Sequence, residues 1–397
     1  MDYRKRVMTE ALVTPRLITW ARERRRLPLN EAAEKLSVTA DKLQNWEHGI
    51  KGPTFKQAIS IAEKLYIPFG YLFLPTPPEE KLPLPDFRTV AGAPEYPPSP
   101  DFLDVLSDTL RKQQWYREYQ ESIEAERLEF IGRFTQEAEH KQIANDIRNT
   151  LQIDDSMREE SHSWEQFLQE FIRRSERIGV LVLRSGIVGN NTHRPLDVEE
   201  FRGFVISDTL APLIFINGKD AKTAQIFTLA HELAHLWMGQ TGVSNPDYLN
   251  QLSAPQNIIE RVANQVAAET LLPADEFLYF WDTRKEKQDN VEALAQRYRI
   301  SRFVVLRRAF DNDKLSEAEY YEYYQSLVAE HRKSSGVSGG SFYRNLLTRN
   351  SSTLTTTLLV ACAEGRVSQK EAASLLNVKI KSMPSIQREI LGGAANA

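Results

Sequence analysis

The stretch from Pro75 to Pro100, which contains TPPEE, KLPLPDF and APEYPPSP, holds too many prolines to be a helix or a central strand. Proline locks φ and lacks an N–H donor, so such a run stays extended and marks a domain boundary. The 397 residues are more than one domain needs, and each side of the boundary is long enough to bury its own core. A multidomain chain is the expectation.

Before the boundary, Pro15 to about Leu74 reads as short helices separated by tight turns. Apolar residues recur at helical spacing in Leu17, Trp20 and Ala21, then in Ala32, Ala33 and Leu36. Thr39 suits the N-cap of a helix from Ala40 to about Glu47, which Gly49 and Gly52-Pro53 end, and Thr54 caps another running toward Leu65. The net charge of −4 argues against nucleic-acid binding by the whole surface and leaves only a local patch open to it.

After the boundary, residues 101–175 carry charged and aromatic residues at helical spacing, among them Trp115, Tyr116, Tyr119, Trp164, Phe167 and Phe171, and read as a helical spacer. Then the pattern changes. Val180–Leu183, Phe201–Ile206 and Pro212–Ile216 are short, β-branched and bounded by Gly, Asn, Asp or Pro, which predicts a small three-stranded sheet. A helix from about Lys222 to Gln240 follows, then a loop with Gly242 and Asn245-Pro246-Asp247, then a helix from about Gln256 to Leu272 stopped by Pro273. The remainder reads as helical with a break at Ser334–Gly340, so the fold class is α+β, mostly α. EAAEKLSVT from Glu31, EALAQRYRIS from Glu292 and EAASLLNVKI from Glu371 resemble one another weakly. Each is the first half of a helix-turn-helix or an ordinary αα-hairpin.

No apolar run reaches the length of a membrane span; Leu354–Ala363 is too short and broken by threonines. Arg4, Lys5 and Arg6 lead into polar and mixed sequence rather than an apolar signal core, so a cytoplasmic location is expected. Cys362 is the only cysteine, which leaves no thiolate cluster and makes histidine and carboxylate the ligands for any metal.

Those ligands stand in AHELAH. His231 and His235, four residues apart, lie on one helix face a turn from each other and place two imidazoles on one ion. Glu232 beside them is the general base, taking a proton from a water that the metal acidifies and handing it to the leaving amine. Phe227, Ala230, Leu233 and Leu236 supply the apolar stripe of a buried helix. No third histidine follows at close range, so a carboxylate must complete the set. Glu260, on the next helix as it folds back, is the best placed. Glu269, nine residues on, falls on the opposite face, and both cannot reach the metal. Asn264, a turn after Glu260, is placed to hydrogen-bond a ligand, while Ala263, Ala267 and Ala268 allow close helix approach. The strand Pro212–Asn217 is suited to pair with an extended substrate as an added strand, which favours a peptide over a small amide. His193 and Tyr248 are the residues available for oxyanion stabilisation beyond the metal, and neither is assigned.

IFTLAHELAHLW followed by IERVANQVAAETLLP resembles the ImmA/IrrE group of metallopeptidases over residues 175–310 or so. Ala234 stands where that group commonly has Gly. The resemblance implies a gluzincin-like core in which His231, His235 and Glu260 bind Zn2+ and Glu232 is the base. It also implies regulatory cleavage of a protein substrate, a transcriptional repressor or antitoxin. Residues 16–73, through AAEKLSVTADKLQNWEHGIKGPT and IAEKLYIPFGYLF, resemble the XRE/Cro class of helix-turn-helix. In that class the helix beginning near Thr39 enters the major groove, which makes Thr39, Lys42, Gln44 and Asn45 the candidate DNA contacts. Arg22, Arg24, Arg25 and Arg26 either hold phosphates or solvate a helix end. Asp41 and Glu47 offset Lys42 and Lys51, so a protein-docking module of the same fold stays open.

The expected organisation is a helix-turn-helix at 1–75, a linker at 76–100, a helical spacer at 101–175, a peptidase core at 176–310 and a helical region at 311–397. Its function is that of a zinc endopeptidase; the alternative is a DNA-binding regulator or antitoxin, bound to operator DNA, whose peptidase-like core senses or scaffolds.

Overall fold

The computed structural model describes residues 10–80, 82–86, 98–244, 258–331 and 341–394. Two compact units emerge, Met1–Pro83 with Pro94–Asp104 and Leu84–Ala93 with Val105–Ala397.

In the first unit, α1 (Pro15–Arg24), α2 (Leu29–Lys35), α3 (Ala40–Glu47) and α4 (Phe55–Leu65) enclose a core that includes Ile18, Leu43, Trp46 and Ile61. Their starts follow local chemistry. The Thr39 hydroxyl accepts the Lys42 N–H, and Thr54 with Gln57 closes a reciprocal capping box.

The second unit takes α5 (Pro100–Ser122) from Val105 onward, then α6 (His140–Leu151), α7 (Asp155–Glu160) and α8 (Trp164–Arg177). Strands β1 (Leu181–Ser185), β2 (Ile187–Val188), β3 (Asn191–Pro195), β4 (Gly203–Ile206) and β5 (Leu213–Asn217) follow, then α9 (Lys222–Trp237), β6 (Gly242–Ser244) and α10 (Ile258–Leu271). After these come α11 (Ala274–Phe280), α12 (Lys287–Tyr298), α13 (Arg302–Asp311), α14 (Glu317–His331), α15 (Phe342–Asn350), α16 (Ser352–Ala363), α17 (Gln369–Leu375) and α18 (Met383–Ala394). The fold is α+β and mostly α. Among the described residues no helix is long and apolar enough to cross a membrane.

The sheet differs from the expected three strands. It has four, in the order β1-β5-β4-β6, because Gly242–Ser244, read from sequence as loop, pairs antiparallel with Gly203–Val205 of β4. A separate hairpin joins β2 to β3. β5 therefore lies inside the sheet, parallel to β1 on one side and antiparallel to β4 on the other. Both its edges are used, so it cannot take an added substrate strand, which corrects that expectation. The outer side of β6 is met by the proline-rich stretch: the Val243 N–H donates to the Pro85 carbonyl at 2.9 Å, and Asp86 bridges Val243 in parallel.

Helix α9 is the hub. Every side chain from Gln225 to Trp237 is buried, since α6, α8, α10, β4 and β5 pack around it. Its C-terminal carbonyls are satisfied from outside the helix: the Gly132 N–H donates to Leu236 O and the Phe134 N–H to Trp237 O. Gly132 and Gly239, both at positive φ, let these two backbones touch; a Cβ on Gly239 would stand 3.1 Å from the Gly132 Cα.

The three similar segments share one turn. Ser37, Arg299 and Asn377 have φ of 55°, 54° and 56°, each following a helix and leading through Val38, Ile300 or Val378 to the extended N-cap of the next, Thr39, Ser301 or Lys379. Ser334–Gly340, Asn245-Pro246-Asp247 and the stretch from Phe87 to Pro97 lie outside the described residues.

Candidate metal centre

Two helices make the centre. His231 and His235 come from the middle of α9 and Glu260 from the first turn of α10. Small residues on α10, Ala263 and Ala267 among them, are fully buried and let the helices pack along each other. The far end of α10 is tied down by three guanidinium groups: Arg148 donates to the carbonyl of Thr270, Arg158 to that of Leu271 and Arg308 to that of Leu272. Cations at a helix C-terminus satisfy its orphan carbonyls and complement its dipole. Glu269 pairs with Arg308 and accepts the Ala274 N–H, so it serves this anchor and not the centre.

The imidazole Nε2 atoms of His231 and His235 face each other at 3.0 Å. The Glu260 carboxylate lies 3.3 Å from the first and 3.0 Å from the second. Ligand atoms of these three residues fall within 4.8 Å of one another, and all three residues are buried. Donors held tetrahedrally on a common ion at about 2.1 Å stand roughly 3.4 Å apart. Two imidazole nitrogens and a carboxylate oxygen, converging at nearly that spacing, fit a divalent cation.

Electrostatics supports the same convergence. Burial opposes charge on His231, but the Glu260 carboxylate, its hydrogen bond, and Glu232 raise the imidazole's pKa. Burial pushes His235 down, as two rings meeting nitrogen to nitrogen cannot both carry the proton between them. Glu260 would be raised by burial, but His231 and His235 pull it to about 2.

Glu232 is fully buried, and that desolvation, with Glu260 adding to it, raises its carboxyl to about 8 against the opposing His231 charge and Ser244 hydrogen bond. Its Oε1 accepts the Ser244 hydroxyl, while its Oε2 is buried with no protein partner. Asn264 is buried too; its carboxamide favours the charged form of His231, although its Oδ1 falls outside hydrogen-bond geometry with any group. His193 is exposed on β3, outside the ligating group, and Tyr248 lies outside the described residues. Ser244 and Gly203, at the edge of Glu232, escaped the sequence reading: neither residue type marks a site, and only strand pairing brings them there.

In the first unit, Thr39, Lys42 and Gln44 are exposed along α3 and Asn45 is half-buried. Arg22 is paired with Glu47 and Arg24 with Glu80, and the Arg25 guanidinium donates to the Lys64 carbonyl. Those three arginines thus each make a contact within their own unit.

Residues 176–310 match the IrrE N-terminal-like domain of the Peptidase_M78 family. The matched stretch contains α9, α10, the sheet and the whole His231–His235–Glu260 cluster, so the centre sits within a metallopeptidase-like domain. No curated relative and no solved structure matches the chain.

Proposed function

We propose that the chain is a zinc-dependent endopeptidase acting on a protein substrate, a transcriptional repressor or an antitoxin. The observation that carries this reading is the closure of two imidazoles and one carboxylate on a single point, with a buried carboxyl of free Oε2 one residue away, inside a metallopeptidase-like domain. His231, His235 and Glu260 would hold the ion. Bound there, zinc supplies Lewis acidity, which acidifies water and polarises a peptide carbonyl.

The chain's own residues do the rest. Glu232 receives the water proton on Oε2 and returns it to the leaving amine. Its burial favours the protonated form, the form in which the carboxyl carries the proton from the water to the leaving amine. The substrate class rests on the resemblance to ImmA/IrrE peptidases.

Metal analysis of the purified chain, with cleavage of fluorescently labelled casein and of repressor-like proteins encoded nearby, tests this. One zinc per chain, lost in His235→Ala, and cleavage abolished in a Glu232→Gln variant that keeps its zinc, are expected. A chain that takes up no zinc, or cleavage that survives Glu232→Gln, defeats the proposal.

The second reading, a DNA-binding regulator whose core senses, draws on the exposed Thr39, Lys42 and Gln44 of α3. Operator binding that is indifferent to chelation and lost in Gln44→Ala would favour it.

A further inference from the structure

Glu232 is gripped asymmetrically. Gly203 on β4 and Ser244 on β6 are register partners across the sheet, and both bear on the same oxygen. The buried Ser244 hydroxyl donates to Oε1, and a Cβ on Gly203 would come within 2.7 Å of that atom and of the Thr228 Cγ2. The other oxygen, Oε2, is just as buried and has no protein partner. The two oxygens of a glutamate are equivalent in solution, and the torsion that exchanges them is soft. Here the surroundings make them different.

The grip is itself held in place. β6 is only three residues long, yet it is fixed on one side by its ladder to β4 and on the other by the Val243 N–H to Pro85 carbonyl hydrogen bond. A serine on a strand secured along both edges has little freedom to withdraw. Gly203 is the complementary requirement, since any side chain there would drive the carboxyl away from the hydroxyl.

We infer that Ser244 is a positioning residue for Glu232: its hydroxyl occupies Oε1, fixes the carboxyl plane and leaves Oε2 as the oxygen that exchanges protons with the reactants. The inference rests on the endopeptidase reading for its consequence and on geometry alone for the contact. Ser244 touches no metal ligand among the contacts described, so its loss should affect turnover and not ion uptake.

The test uses the full-length, zinc-loaded chain. With labelled casein as probe, Ser244→Ala is expected to lower kcat about tenfold, the scale of one lost hydrogen bond to a charged group. KM and zinc affinity should stay at wild-type values, and Ser244→Cys, nearly isosteric with a weaker donor, should fall between. Independently of turnover, the infrared carboxyl band of Glu232, isolated as the difference between wild type and Glu232→Gln, should shift in Ser244→Ala. An unmoved band overturns the inference, as does unchanged kcat, or kcat falling together with zinc affinity. If wild type and Glu232→Gln prove equally inactive, the hydrolytic reading fails, and the infrared band alone decides whether Ser244 holds the carboxyl.

Discussion

At the scale of single residues, the centre is a set of buried titratable groups that shift one another's proton affinities. Glu232 is the clearest case. In the metal-free chain its folded carboxyl titrates near 8 and its unfolded one near 4.5. Below the lower value both states hold the proton; between the two only the folded state does, so stability falls as pH rises from about 4.5 to 8 and then levels off. Glu232→Gln removes that penalty. Metal-free Glu232→Gln should therefore match wild type near pH 4.5 and exceed it at pH 8 by about 4 kcal/mol in urea denaturation, since each tenfold difference in proton affinity between the folded and unfolded chain is worth about 1.4 kcal/mol. Equal stability at both pH values would contradict the burial of this carboxyl. Glu260 has the opposite sign: its folded value near 2 contributes stability above about 4.5 that is lost as pH falls toward 2.

At the scale of elements, the position of α9 depends on what happens at its end. Gly132 and Gly239 meet backbone to backbone, and the loop before α6 caps the helix by donating to Leu236 and Trp237. The Trp237 indole donates to Asp146 at 2.7 Å and stacks on Phe130, fixing the same end. Gly239→Ala places a methyl 3.1 Å from the Gly132 Cα at φ +68°. It should cost about 2 kcal/mol, from left-handed strain and the lost approach, read as a lowered urea midpoint. A midpoint within error of wild type would show that the loop does not brace the helix.

The helices of the centre were legible in the sequence because their chemistry is periodic: His231 and His235 must be four apart to share an ion, and Pro273 must stop α10. β6 was not, since Gly-Val-Ser is too short to show alternation and gains its strand character only from β4. The interior place of β5 was equally hidden, because strand order is set by tertiary packing and leaves no mark in a single strand's composition. The Gly132–Gly239 contact joins positions more than a hundred apart in sequence, and glycine gives no local signal of its partner.

At the scale of the whole molecule, residues beyond the matched domain belong to the same compact unit as the centre. Glu176, at the end of α8, accepts the hydroxyls of Ser351 and Ser352 and the Ser352 N–H, and so caps α16 from across the unit. Burial raises its carboxyl against these hydrogen bonds. Glu176→Ala strands buried hydroxyls and uncaps the helix, a cost of about 2 kcal/mol. Hydrogen exchange should then quicken in α15 and α16 while α9 stays protected; uniform exchange across both would mean that the C-terminal helices open only with the rest of the unit.

The pairing of Pro85 and Asp86 with Val243 sets a rule of access. The flank of the sheet next to Glu232 is already taken, and by a stretch covalently continuous with the rest of the chain. Any polypeptide seeking to align there must unseat this resident first, so admission is a contest between a tethered ligand, present at a fixed effective concentration, and a free one.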